Sequence, residues 1–378
     1  MKILHLITRM DRGGSAVNTL LSAIEQQRAG HQVTLAFGSS IESDMSMGER
    51  AKLDVDLHIF QDLDGRIIIL KKMFRSLGWH DIQAYQELKN LCKEPFDIIH
   101  THTSKTGALG RLAAIGHQAK VIHTPHGHIF HGYFGSLKTN VFIWIERYLA
   151  KKTDVLIALT YAERDDHLAL GIACKEQWQV IPSGVDIVSI QQGIQQYNKD
   201  SEPTWDAVSV GRLVPIKGME RLITAWAKVC EIKPDARLAL VGDGEDREKL
   251  EALVNSLDLS DSIYFAGWAN PIAYLANARC FALMSHNEGM GRVVVEAFAA
   301  GLPCVVSDVC GLRELVNDEV GCVVDAEQPL EVANAIVAMW KKDVRQATWQ
   351  RAQNYSLSTM IEKLEQVYQQ TPFGEKKA

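Results

Sequence analysis

What most constrains this 378-residue chain is a rhythm of short, almost wholly apolar runs alternating with longer stretches whose apolar residues recur every three or four positions. The first run is KILHLIT (2–8). After the loop RMDRGGS comes AVNTLLSAIEQQRA, an amphipathic helix pattern stopped by Gly30, and then HQVTLAF. FDIIHTH (96–102), KVIHTPH (120–126) and DVLIALT (154–160) follow, each with a helical segment behind it. Runs that are apolar at successive positions mark strands buried on both faces, and strand–helix–strand order requires a parallel sheet with crossover helices. The rhythm restarts after VIPSGVDI (180–187), with strands expected in WDAVSVGRL (205–213), ARLALVGDG (236–244), SIYFAGW (262–268), CFALMSH (280–286) and LPCVVSD (302–308). The expected fold is α/β: two facing Rossmann-like, doubly wound domains with a cleft between them. Residues 1–185 and 200–355 delimit the domains, QQGIQQYNKDSEPTW reads as the linker, and a last helix within 356–373 packs back on the first domain. Ligands of such sheets bind at the carboxyl ends of strands.

Composition narrows the function. The longest apolar runs, such as IIIL (67–70) and VFIWI (141–145), fall far short of the roughly 20 residues of a spanning helix. The N-terminus reads as a first strand and not a leader, so the expected compartment is the cytoplasm. Seven cysteines without a C-x-x-C pair argue against a disulfide framework or a thiolate zinc site. Residues 1–182 hold 21 Lys and Arg against 19 Asp and Glu, so the net charge of −6 comes from the remainder. No dense basic patch of a nucleic-acid binder is present.

Three constellations carry chemistry. In NEGMGRVVVEAFAAGLPCVVSD (287–308), Glu288 and Glu296 lie on either side of Gly291 and a helix start. A helix N-terminus offers unpaired N–H groups and a positive dipole end to phosphate oxygens, and glycine lets a ligand approach the main chain. Either the two glutamates decorate an ordinary helix, or they grip the two ends of one nucleotide sugar. In VGRLVPIKG (210–218), Arg212 and Lys217 end a strand and open a helix, where a fork and a point charge suit a leaving diphosphate; the plain alternative is a solvated turn. In RMDRGGSAV (9–17), Gly13 and Gly14 outline a backbone anion site. G-x-G-x-x-G is absent there, and VGDGEDR carries Arg247 where the third glycine belongs, which lowers the case for a dinucleotide enzyme.

Six histidines, at 100, 102, 123, 126, 128 and 131, crowd two strand ends. Their spacing fits no zinc signature, and no metal is expected. Only His126, followed by Gly127, and with less support His102, rise above packing. The Asp-x-Asp triplets DVD (54–56) and DLD (62–64) flank an expected short strand, LHIF, and read as surface charge.

Together these pieces resemble the retaining glycosyltransferases of family 4, which have the GT-B fold. The similarity covers nearly the whole chain: GG near residue 13, AGHQVT (29–34), HTPHG (123–127), IPSGVD (181–186), GRLVPIKG, VGDGEDR and EGMGRVVVEAFAAGLPCVVSD occur in that family's order. THTSKTGALGRLAA (101–114) with HTPHGHIFHGYFG resembles a bacterial subgroup of surface-polysaccharide assembly. The resemblance implies that Arg212 and Lys217 hold the donor diphosphate and that Glu288 contacts the transferred sugar. The loop Gly289, Met290, Gly291, Arg292 and Val293 lies beside that sugar, with Glu296 on the ribose. It also implies Gly267 and Trp268 at the base, Gly13 and Gly14 at the phosphate, and His126 on the sugar. Acceptor-side candidates are His102, Ser104, Lys105 and His128. Neither metal nor cofactor is implied, and the anomeric configuration would be retained by front-face attack. UDP-sugar is the favoured donor and GDP-sugar the second. Arg292 departs from the pattern, because an uncharged residue is expected there; a phosphate contact, an acidic sugar and solvent are its open readings.

Two rivals are a nucleotide-sugar epimerase of the same fold and a non-catalytic nucleotide-sugar-binding subunit. Intact Arg212, Lys217, Glu288 and Glu296 speak against the second. The expected acceptor is a saccharide or polyprenyl-linked saccharide on the first domain. RIIILKKMFRSLGW (66–79) interleaves Arg66, Lys71, Lys72 and Arg75 with apolar residues: it reads either as a peripheral contact with an anionic membrane at its inner face or as an ordinary amphipathic helix on the sheet.

Overall fold

The computed structural model describes residues 1–11, 13–39, 45, 47–127, 136–197 and 203–370. Two compact units divide the chain: Met1–Pro182 with the segment from Met360 onward, and Ser183–Thr359. Each is built on one parallel sheet covered by helices. Among the described residues the first sheet has strands β1 (Lys2–Arg9), β2 (Gln32–Gly38), β3 (Arg66–Leu70), β4 (Ile98–His102), β5 (Lys120–Thr124), β6 (Val155–Ala158) and β7 (Trp178–Val180), in the order β3-β2-β1-β4-β5-β6-β7. The second has β8 (Ala207–Val210), β9 (Leu238–Val241), β10 (Ile263–Gly267), β11 (Phe281–Leu283), β12 (Cys304–Ser307) and β13 (Gly321–Val324), in the order β10-β9-β8-β11-β12-β13. The order reverses between β1 and β4 in one unit and between β8 and β11 in the other. At such switch points the following loops diverge to opposite faces and leave a crevice.

The strand pattern shows how this arises. In β1, Leu4 and Leu6 pack with Ala84 and Leu88, while His5, on the opposite face, meets Gln26 of the helix Gly14–Arg28. β4 alternates in the same way. His100 and His102 share the face of His5, and Thr101 turns to the other side, where its hydroxyl lies 2.9 Å from His123 Nδ1. The helix Leu357–Gln369 closes the His100 face: Tyr368 OH lies 2.7 Å from His100 Nδ1, and Lys120 Nζ donates to Gln370 O at 2.6 Å. In the second unit Trp226 is wholly buried amid Leu222, Leu240, Leu250 and Ile336, with Nε1–H donating to Ser262 Oγ at 2.8 Å.

Three local expectations are corrected. LHIF belongs to the helix Met47–Asp62, because Leu53 and Phe60, seven residues apart, share its buried face. QQGIQQY is no linker. Ile187, Ile190 and Ile194 fall at helical spacing, and Ile187–Tyr197 is a helix of the second unit, started by Asp186 accepting from Ser189 N–H and Oγ–H. RIIIL is the edge strand β3 and not part of an amphipathic helix; the next residues form a loop in which Leu77 is 72% and Trp79 88% exposed. Among the described residues no helix is long and apolar enough to cross a membrane.

Removing the buried indole tests the second core. Trp226→Ala should lower unfolding free energy by about 3–5 kcal/mol, read as an earlier urea midpoint by circular dichroism.

Candidate functional site

In the second unit the switch point is assembled by backbone contacts too close for side chains. Gly218, at φ 59°, follows the 3₁₀ turn Pro215–Lys217, and a Cβ there would lie 2.0 Å from Met284 O. A Cβ on Gly242, at φ 131°, would lie 2.0 Å from Gly211 O, and one on Gly311 would lie 2.4 Å from Glu288 O. His286 N–H donates to Ile216 O at 2.9 Å, tying the loop after β11 to the turn after β8. The glycines of VGDGEDR thus serve this packing: Asp243 accepts from Gly244 N–H, and Arg247 pairs with Asp243 and Glu251.

This seam brings Lys217 and Glu288 together. Lys217 Nζ lies 2.5 Å from Glu288 Oε1, and Ser285 Oγ–H donates to the same oxygen at 2.8 Å. Ser285 is held in turn by Ser307, whose hydroxyl donates to its carbonyl at 2.7 Å. Gly291, at φ 76°, starts the helix Arg292–Ala299, which buries Val294, Val295 and Phe298 and keeps Glu296 half-buried one turn in. Gly289 and Val293 are half-exposed beside the loop, while Met290 is buried, with Ser183 N–H 3.1 Å from its Sδ. Arg212 is exposed after β8; its carbonyl accepts from Val214 N–H at 3.0 Å, and its guanidinium has no hydrogen-bond or ion-pair partner among the described residues. Gly267, at φ 63°, accepts from Gly242 N–H at 2.9 Å at the end of β10, and Trp268 beside it is largely exposed. Arg292 Nη1–H donates to Gly184 O at 2.6 Å, binding the helix to the IPSGVD segment.

In the first unit, the loop after β1 places Gly13 at the start of the helix Gly14–Arg28, and its N–H donates to Asp11 Oδ1 at 2.8 Å. A carboxylate therefore takes one amide of the expected anion site. After β4, Ser104 and Lys105 open the helix Ser104–Ala113. Lys105 is engaged by Asp81 and donates to Ser76 O at 2.5 Å. His126, at φ 60°, follows β5, and Gly127 N–H donates to the buried Glu163 carboxylate at 2.7 Å. His128 lies outside the described residues.

Behind His126 runs a row of rings. His126 Nε2 is 2.9 Å from His102 Nδ1, His102 Nε2 is 2.9 Å from His5 Nδ1, and His5 Nε2 is 2.7 Å from Gln26 Oε1. His100 stands alongside, between Tyr368 OH and Thr124 Oγ1 at 2.7 and 2.8 Å. His102 is 2% exposed with both ring nitrogens committed, so it reaches a ligand only through His126. Burial pushes the His5 imidazolium down to about 4. Burial, with neighbouring imidazoles second, holds His100 and His102 well below the usual histidine range. Ring nitrogens of His5, His100 and His102 lie within 4.8 Å of one another, a spacing that admits a metal ion. Yet all six nitrogens already have hydrogen-bond partners, and coordination would break those bonds. The sequence named His102 and His126 but passed over His5, Gln26, Glu163, Ser285 and Tyr368. A His inside an apolar run was the signal available for His5, and the T-x-x-E spacing of Thr160 and Glu163 at a helix start was the one for Glu163.

Comparison with known proteins places this geometry. Residues 191–355 match the family Glycosyl transferases group 1, and residues 12–188 match Glycosyltransferase Family 4. An Escherichia coli protein, UDP-Gal:alpha-D-GlcNAc-diphosphoundecaprenol alpha-1,3-galactosyltransferase, is 30% identical over 326 residues, 80% of this chain and 81% of that one. A D-inositol 3-phosphate glycosyltransferase of Corynebacterium diphtheriae is 28% identical over 300 residues, 72% of this chain and 70% of that one. Among solved structures, Anabaena Alr3699/HepE in complex with UDP and glucose superposes with a TM-score of 0.76 at 21% identity, over 97% of this chain and 99% of that one.

The buried imidazoles set an acid limit on stability. The unfolded chain binds protons on these rings below about pH 6.5 and the folded chain does not, so stability is full above that pH and falls toward pH 4. His5 alone accounts for roughly 3 kcal/mol across this window. His5→Gln should flatten the acid side of a Tm-against-pH curve.

Proposed function

The chain belongs to glycosyltransferase family 4, and from that premise we propose that it moves a hexosyl or N-acetylhexosaminyl group from a UDP-sugar to a polyprenyl-linked saccharide, without a metal and with retention of the anomeric configuration. The observation that carries this reading is the Lys217–Glu288 pair with Ser285, set at the β8/β11 switch point beside the start of the helix Arg292–Ala299. A diphosphate laid over that helix start meets main-chain N–H groups and the positive dipole end. It also meets the unpaired Arg212 and draws Lys217 toward its oxygens. Glu288 is then released to accept from sugar hydroxyls, and Glu296 from the ribose. Trp268, with Gly267, is assigned to the base, and His126 to the transferred sugar.

In the reaction the bond from the anomeric carbon to the diphosphate oxygen breaks as an acceptor hydroxyl oxygen bonds to the same face. The acceptor proton passes to the departing phosphate oxygen. Negative charge grows on the leaving diphosphate, and fixed cations placed where charge develops act most strongly at that moment. The name of the E. coli relative supports a UDP-hexose donor and a diphospholipid-linked acceptor.

A lipid-linked acceptor agrees with the surface after β3. Ile69, Leu77, Trp79 and Ile82 are exposed next to exposed Lys71 and Lys72. We assign this loop to peripheral docking on an anionic bilayer, apolar tips inserted and lysines at the headgroups. Arg66 contributes little there, since its guanidinium is paired with Glu94.

In a thermal-shift panel of UDP-, GDP-, ADP- and TDP-sugars, a UDP-sugar should give the largest rise in Tm. Arg212→Ala and Glu296→Ala should abolish that rise; full nucleotide affinity in both variants refutes the site. Lys217→Met should lower kcat by about 10²–10³. Product analysis with donor alone separates an epimerase, which converts donor without acceptor. Co-sedimentation with phosphatidylglycerol vesicles should be lost in a Trp79→Ser, Leu77→Ser double variant, and undiminished binding removes the membrane assignment.

A further inference from the structure

Glu288 is bonded on one carboxylate oxygen and open on the other. Lys217 Nζ and Ser285 Oγ both reach Oε1, at 2.5 and 2.8 Å, while Oε2 accepts nothing among the described residues. Chemistry fixes the sense of both bonds: an ammonium only donates, and a hydroxyl facing an ion-paired carboxylate donates to it. The two donors are held very differently. Lys217 ends a flexible stem that is 23% exposed. Ser285 is 0% exposed, and the main chain around it is pinned at successive residues. Its carbonyl accepts from Ser307 Oγ–H at 2.7 Å, His286 N–H donates to Ile216 O at 2.9 Å, and Glu288 O lies against Gly311, where a Cβ would come within 2.4 Å. Ser307 is itself buried at the end of β12, paired with Val324 of β13. One donor can therefore leave with a ligand, and the other cannot.

We propose that Ser285 is a positioning residue: it keeps Glu288 in place, with Oε2 open to a sugar hydroxyl, after Lys217 has moved to the diphosphate. The proposal rests on the assignment of Lys217 to the diphosphate and Glu288 to the transferred sugar. Without Ser285, the departure of Lys217 would free the glutamate side chain over its rotamers at the moment its carboxylate is needed, and ordering it again opposes binding. With Ser285, Oε1 keeps one bond throughout, and the carboxylate meets the sugar already oriented. Ser307 supports this one step further back, because its hydroxyl fixes the carbonyl of the residue that fixes Glu288. Packing alone does not call for a hydroxyl at position 285. A buried hydroxyl is costly unless it is bonded, and alanine would occupy the same place without that demand.

The test measures UDP and UDP-galactose affinities of the full chain by titration calorimetry. UDP has no sugar for Glu288 to meet, so it reports the base and diphosphate contacts alone. Ser285→Ala should weaken UDP-galactose by about tenfold and leave UDP affinity unchanged, which also shows that the loop is still folded. Glu288→Ala should give the same split. In the Glu288→Ala background, Ser285→Ala should add no further loss, the mark of a residue that acts through another. Three results overturn the proposal: wild-type UDP-galactose affinity in Ser285→Ala when Glu288→Ala has lost it, equal losses of UDP and UDP-galactose in Ser285→Ala, or additive losses in the double variant. Glu288→Ala with undiminished UDP-galactose affinity is a different failure. It removes the sugar contact of Glu288 itself, and the role of Ser285 falls with it.

Discussion

The second unit depends on main chain touching main chain. Where β8 and β11 part, Gly218 meets Met284 O, Gly242 meets Gly211 O, and Gly311 meets the carbonyls of Glu288 and Gly289 at distances that no Cβ tolerates. These contacts leave the loops almost no freedom to shift relative to one another, so side chains projecting from them inherit fixed positions. Lys217 and Glu288 are 71 residues apart in sequence, yet their meeting point follows from glycine packing and not from the ion pair. In the proposed reaction the pair is a resting arrangement. Each charge satisfies the other, and a ligand bearing both anionic oxygens and hydroxyls can take over both partners at little desolvation cost.

The first unit answers the same topological problem with neutral groups. Its switch point lies between β1 and β4, and instead of opposite charges it concentrates imidazoles kept uncharged by burial. A low-dielectric interior magnifies both the benefit of a matched hydrogen bond and the cost of an unmatched one, so such a network tolerates few arrangements. A charged pair in one unit and a network of neutral rings in the other match the uneven spread of charge and histidine along the chain.

Element type was readable wherever burial on both faces produced continuous apolar runs: KILHLIT, LALVG and CVVSD could be little else. Local errors came where the apolar signal was thin. LHIF has four residues that fit either period, and only the packing of Leu53 and Phe60 selects the helix. Glutamine-rich QQGIQQY concealed an isoleucine stripe. At the site, residues in punctuated motifs such as Arg212, Glu288 and His126 stood out because glycines marked the loops. Partners inside regular elements did not: Gln26 and Tyr368 sit in amphipathic helices, where one polar residue facing inward looks the same as one facing solvent. Arg292 was noticed as a departure, but its acceptor, the Gly184 carbonyl, lies 108 residues away and leaves no trace in local pattern.

The return of the helix Leu357–Gln369 to the first unit has a consequence for how the protein is born. Tyr368 and the carbonyls of Val367 and Gln370 complete hydrogen bonds of His100 and Lys120, groups translated some 250 residues earlier. The contiguous stretch Ser183–Thr359 can fold as it leaves the ribosome. The N-terminal sheet, although synthesised before that stretch, gains these hydrogen bonds only once residues 367–370 have been made, roughly 10–40 s later at ordinary elongation rates. During that interval its imidazole-lined face is open to water, which satisfies the rings until the last helix displaces it. The unit begun earlier is thus the unit completed later.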